Sequence, residues 1–283
     1  VLAGVCLFWG TIPFVIRDVA LDGIAIAFVR VWVAAAGLAI VALWRRRDAD
    51  VRLLSRAPGR CLAAGAVLAL HWSAMFAAYK RAPADMVIFI VFLAPIAIAA
   101  LAPAVLGERV AARTVAALGL ALGGAALVTR PVGSSGTTGL ILAAVAAGSF
   151  AALVLITKPL AQIYGGLRLT LMEMTVAGVV LAPVALFGDW GTPAGSWAWL
   201  VVLGALHTAV GTAVYLAALA RLPATDVGIL GYLEPVGVVA FGWLLLGTAP
   251  PASTVAGGAL IVVAGVAIAS TRTPTGASTH VPG

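Results

Sequence analysis

Few residues in this chain could do chemistry, and they stand inside apolar runs. Glu234 sits in Tyr232-Leu233-Glu234-Pro235-Val236. An ionised carboxylate in hydrocarbon costs about 2.5–3.5 kcal/mol even on the lenient insertion scale, so this side chain must face a cavity or a partner. It could carry a proton, bond a substrate amine, or satisfy backbone donors structurally. Arg30 is the corresponding cation; a guanidinium grips a carboxylate bidentately or bridges helices. His71 and His207 each follow an Ala-Leu pair and precede a tyrosine, Tyr79 or Tyr215, by eight residues. Neither has a second ligand at i+3 or i+4, so no metal site is implied. Hydrogen bonding or helix packing stands beside a cavity role for both. Trp9, Trp72 and Tyr232 are candidate cavity walls. Cys6 and Cys61 share no ligand spacing and read as small buried side chains.

The elements that hold these residues follow from composition. Of 283 residues, 63% are hydrophobic and 10% charged, with mean hydropathy +1.14. Soluble domains carry about 25% charged residues, so this chain cannot cover a water-facing surface. Ten apolar spans can be drawn, at 1–16, 22–44, 60–79, 84–105, 111–129, 138–157, 168–187, 197–219, 225–246 and 253–270. A span of about 20 residues at 1.5 Å each crosses a core about 30 Å thick. The alternating segments of a membrane β-barrel are missing, which leaves an all-α membrane protein. His71, His207 and Glu234 fall about 16, 15 and 14 Å into their spans, near mid-membrane. Arg30 and Glu173 lie at levels about 10 Å apart, which argues for separate roles. The chain opens at Val1 without an initiating Met, implying residues upstream, and Ile16-Arg17 offers no signal-peptide cleavage site.

The chain also repeats itself. Arg81, Pro83, Ala84, Val87, Leu93, Pro95, Ala100, Leu106 and Gly107 recur 140 positions later as Arg221, Pro223, Ala224, Val227, Leu233, Pro235, Ala240, Leu246 and Gly247. Ala94 becomes Glu234, the broken position. Pro95 and Pro235 each free a carbonyl four residues back, at Val91 and Gly231, and predict paired helix kinks. The polar stretch from Arg130 to Thr138 reads as the linker. The expected division is a first repeat at 1–131, a second at 132–271 and a polar, disordered tail at 272–283. Five spans per half is odd, so equivalent spans cross in opposite directions, as inverted repeats do. With both termini cytoplasmic, twelve Lys and Arg face inside (Arg45, Arg46, Arg47, Arg52, Arg56, Arg60, Arg109, Arg113, Lys158, Arg168, Arg221, Arg272). Four face outside (Arg17, Lys80, Arg81, Arg130), which satisfies the positive-inside rule. Asp85 and Asp226 read as helix N-terminal caps. Gly119 and Gly123, with Gly257, Gly258 and Gly265, read as packing surfaces within or between protomers.

These residues resemble the EamA family of the drug/metabolite transporter superfamily. The likeness rests on Trp9-Gly10, Arg30, the Ala82-Pro83-Ala84 and Leu222-Pro223-Ala224 links, Leu106-Gly107-Glu108-Arg109, Tyr232-Leu233-Glu234-Pro235-Val236 and Leu244-Leu245-Leu246-Gly247. It covers essentially the whole chain. It implies ten helices, a central cavity lined by the first four helices of each half, and peripheral fifth and tenth helices. It also implies export of amino acids, other metabolites or toxic compounds. Where the second repeat often ends in Gly-Glu, Gly247 is followed by Thr248; Glu108 is therefore read as a loop or helix-cap contact.

The function expected is a secondary transporter, an exporter of small amphipathic metabolites or drugs by alternating access in a bacterial plasma membrane. Its partners are a small-molecule substrate, the lipid bilayer and protons as a coupling ion, with no nucleic acid. No cofactor and no catalytic residue are expected, and with no Gly-x-x-x-x-Gly-Lys-Ser/Thr loop the chain does not hydrolyse ATP itself. The competing readings are a membrane-embedded enzyme, for which His-Glu-x-x-His and Gly-x-Ser-x-Gly are missing, and a non-transporting scaffold subunit.

Overall fold

A computed structural model describes residues 1–17, 19–44, 57–131, 136–247 and 249–270. All regular structure among them is helical: α1 (Leu2–Trp9), α2 (Ile12–Val15), α3 (Gly23–Trp44), α4 (Pro58–Tyr79), α5 (Ala84–Val91), α6 (Ala94–Leu106) and α7 (Ala112–Thr129) come first. They are followed by α8 (Thr137–Ala185), α9 (Ala194–Val202), a π-helical segment (Leu203–Val210), α10 (Gly211–Leu219), α11 (Ala224–Gly231), α12 (Leu233–Leu246) and α13 (Ala252–Ser270). Eight of the described helical runs are long and apolar enough to cross a membrane, and Leu2–Val15 is a shorter apolar run. The chain is an all-helical membrane protein. The expected tail, Thr248, the linker centre and the basic residues of 45–56 lie outside the described residues.

The helix interruptions follow from prolines and close approaches. α5 stops at Val91 and α6 restarts at Ala94, with Pro95 in its first turn. α11 stops at Gly231 and α12 restarts at Leu233, ahead of Pro235. Both α6 and α12 end on a left-handed glycine, Gly107 (φ 68°) and Gly247 (φ 67°), the backbone region that glycine enters without Cβ strain. The span drawn at 1–16 is broken into α1 and α2. Pro13 lies in the first turn of α2, and Gly10 packs backbone to backbone on Gly237 of α12.

One expectation is corrected by packing. A loop was expected at 158–167, but helical bonding runs through it, because Lys158, Leu160 and Ala161 are buried. The direction change is confined to Gly165 (φ 74°, ψ 165°), which divides α8 into arms 137–164 and 166–185. Lys158 is thus not a free loop charge. Its Nζ pairs with Glu108 Oε1 at 2.9 Å and donates to the carbonyls of Leu219, at 3.0 Å, and Leu222. Within the chain, the α7–α13 contact runs through another glycine of the fifth span. A Cβ on Gly119 or Gly123 would meet open space, whereas Gly124 meets the carbonyl of Gly257 at 2.5 Å and Gly257 meets that of Gly124 at 2.5 Å, so α7 and α13 cross there. α4 packs along both arms of α8, and α3 packs on α8 and the π-helical segment.

Candidate functional site

The π-helical segment is where the sequence candidates meet. Its extra residue per turn shifts the helix register, and such segments recur at functional sites. It places His207 toward α1 and Thr208 toward α3. Thr208 Oγ1 donates to the Leu203 carbonyl at 3.0 Å and accepts the Nε–H of Arg30 at 2.9 Å. The Arg30 guanidinium lies over the Trp72 indole, 4.5 Å from the ring centroid. With Nε held and one face stacked, the terminal NH2 groups of Arg30 are the ends that can meet a carboxylate.

Glu234 lies in the first turn of α12, half-buried, with no hydrogen bond to its carboxylate among the described residues. Its field falls on Arg30, Cys6 and Tyr79. Arg30 and Glu234 are nonetheless not joined as an ion pair; Glu108–Lys158 is an ion pair seen among the described residues, and it lies elsewhere. A cation and an anion therefore share one low-dielectric region with capacity to spare for a ligand carrying both charges.

The other candidates are placed in packing around this pair. Trp9 Nε1 donates to the His207 carbonyl at 2.8 Å, and its ring lies 5.6 Å from that of Tyr215. The His207 ring stacks on Phe8 at 4.3 Å, and its Nε2 lies 2.7 Å from Thr11 Oγ1. His71 is buried, with Nδ1 bonded to the Ala146 carbonyl at 2.8 Å and its ring against Phe150. Tyr232 is fully buried, and its hydroxyl donates to the carbonyl of Phe92, the residue 140 positions earlier. The breaks before Pro95 and Pro235 thus meet each other through Phe92 and Tyr232. The structure brings Arg30, Trp72 and Glu234 into one electrostatic group with His71 and His207 in range of Arg30, ties Trp9 to His207, and turns Tyr232 toward Phe92.

Sequence reasoning missed Thr208 and Thr11, which anchor Arg30 and His207. Small hydroxyl residues are ordinary in membrane helices, and only the adjacency of His207 and Thr208 marks the place. Glu173 is buried and does not pair with Arg30. The α11 N-terminus is capped by Glu108, whose Oε2 accepts the Ala224 N–H at 2.7 Å, while Asp85 accepts the Met86 N–H at 2.9 Å. A cavity of about 290 Å³ opens beside that cap, between Arg109, Arg113, Thr225 and Asp226, away from Arg30 and Glu234.

Comparison with known proteins gives the same class. A probable terminal-alkyne amino-acid exporter from Streptantibioticus cattleyicolor is 32% identical over 271 residues, covering 90% of this chain and 87% of that protein. An uncharacterized transporter from Archaeoglobus fulgidus is 28% identical over 92% of this chain and 91% of its own length. A pseudopaline exporter from Pseudomonas aeruginosa is 27% identical, covering 80% of each. A solved crystal structure superposes with a TM-score of 0.83 over 95% of this chain and 96% of the other, at 17% identity, which shows the shared fold. The EamA-like transporter family model matches residues 1–130 and again 137–271. The chain belongs to the EamA-like transporter family.

Proposed function

We propose that this protein exports small amphipathic metabolites, amino acids and compounds built from them, by alternating access across a bacterial plasma membrane. The observation that carries the reading is the Arg30–Glu234 arrangement: opposite charges in mutual electrostatic range, each with unused bonding capacity. A zwitterion offers its carboxylate to the terminal NH2 groups of Arg30 and its ammonium to Glu234. Trp72 holds the guanidinium flat, and Trp9, fastened to His207, walls the neighbouring space. The names of two relatives, an amino-acid exporter and a pseudopaline exporter, support the substrate class.

The layout that goes with this function is ten crossings in two inverted halves, 1–131 and 132–271, with both termini cytoplasmic and protons as the coupling ion. Support comes from the division of α8 at Gly165, the apolar run Leu2–Val15, the paired glycine caps and the contact between equivalent positions Phe92 and Tyr232.

Counterflow of labelled amino acids into proteoliposomes tests the reading. Arg30→Lys loses the bidentate fork and part of the stacking on Trp72, so uptake should fall about tenfold or more, the equivalent of 1.4 kcal/mol. Glu234→Gln should lower uptake of zwitterions most. Wild-type rates in both variants across an amino-acid panel would overturn the proposal.

A further inference from the structure

Glu173 is a carboxylic acid that the substrate site leaves unused. It lies in the second arm of α8, is 2% exposed, and its Oε1 has no hydrogen-bond partner. The α4 helix closes over it. A Cβ on Gly65 would collide with Val176 and stand 3.1 Å from the Glu173 carbonyl oxygen. The field of Glu173 falls on Cys61 of α4 and Tyr215 of α10, neither of them cationic. Arg30 of α3 acts on Glu234 instead, and His71 of α4 is bound to Ala146. Among the described residues no cation pairs with Glu173, and an ionised carboxylate with an unbonded oxygen has no place in such a seam.

We propose that Glu173 is the proton-binding site of this transporter. Resting on the transport function above, it assigns the coupling proton to the α4–α8 seam and leaves Glu234 to the substrate. With its proton on, Glu173 is neutral and the seam closes. When the proton passes to water, the carboxylate requires hydration and the seam opens at Cys61, at the end of α4 assigned to the cytoplasm. The carboxylate takes up a proton again before the seam recloses, so one proton is bound and released per cycle and nothing is oxidised.

Cys61 reports the seam without any substrate. It is fully buried, and Cys6→Ala leaves it as the sole thiol of a chain with two cysteines. Its rate of reaction with N-ethylmaleimide is measured in proteoliposomes from about pH 5.5 to about pH 8.5, with Glu173→Gln run alongside to remove the thiol's own pH dependence. The rate ratio of the Glu173 protein to Glu173→Gln should rise at least tenfold across that range. Glu173→Ala, which cannot ionise either, should follow Glu173→Gln, and Glu173→Asp should keep the rise. A flat ratio, or a rise that survives in Glu173→Ala, overturns the proposal. The readout contains no transport, so a failed amino-acid panel and a failed proton site give different results.

Discussion

Replacing Glu108 by Gln should loosen the junction that ties α6 to α8 and α11. Lys158 is buried, with 8% of its side chain exposed, and its three N–H donors meet Glu108 Oε1 and the carbonyls of Leu219 and Leu222. The other Glu108 oxygen accepts the Ala224 N–H that opens α11. A Gln side chain has one acceptor oxygen for these two donors, so its NH2 must face either an ammonium or an N–H. Losing a bond to a charged group costs about 1.5–3 kcal/mol and losing a helix cap about 1 kcal/mol. Breaking a fully buried pair costs about 3–5 kcal/mol, and Glu108, 17% exposed, belongs at the lower end. About 3 kcal/mol corresponds to a melting temperature about 6–12 °C lower in detergent. Lys158→Met completes a double-mutant cycle. In that background Glu108→Gln should cost about 2 kcal/mol less, because no ammonium is left unpaired. A drop below about 2 °C for Glu108→Gln, or equal costs with and without Lys158, would refute the account.

Gly237→Ala should lower the melting temperature by the equivalent of about 1–3 kcal/mol, since its Cβ would overlap the Leu7 backbone carbonyl, which cannot rotate away. Gly242→Ala is the control: its Cβ would meet only Phe14 Cζ at 3.5 Å, and its melting temperature should match that of the parent. Tyr232→Phe leaves the Phe92 carbonyl without its hydroxyl donor at the helix break and should cost about 1–3 kcal/mol by thermal unfolding. An unchanged midpoint would mean that another donor serves that carbonyl.

Much of this molecule was legible in one dimension. A 63% hydrophobic chain with clustered charges has no alternative to membrane helices, because lipid offers the backbone no hydrogen bonds. Local chemistry was equally readable. Pro95 and Pro235 cannot donate an N–H, so the helices around them are interrupted, and Gly107 and Gly247 carry the left-handed caps that end α6 and α12. Glu234 stood out because a lone carboxylate in an apolar run is costly wherever it lies.

The class of solvent, the helical content and the local breaks are thus set by groups within a few residues of one another. Which polar groups meet depends on the packing of distant segments. The Arg30 bond to Thr208 spans 178 positions and the Trp9 bond to His207 spans 198, separations across which no periodicity carries information. The same holds for Lys158. Counted in the sequence only as one of the inside charges, it is buried, because Glu108, 50 positions earlier, and two carbonyls more than 60 positions later supply its acceptors. Gly124 marks the α7–α13 crossing within the chain, and Gly119 and Gly123 face away from it, for a similar reason: helix rotation is set by the neighbour that covers it.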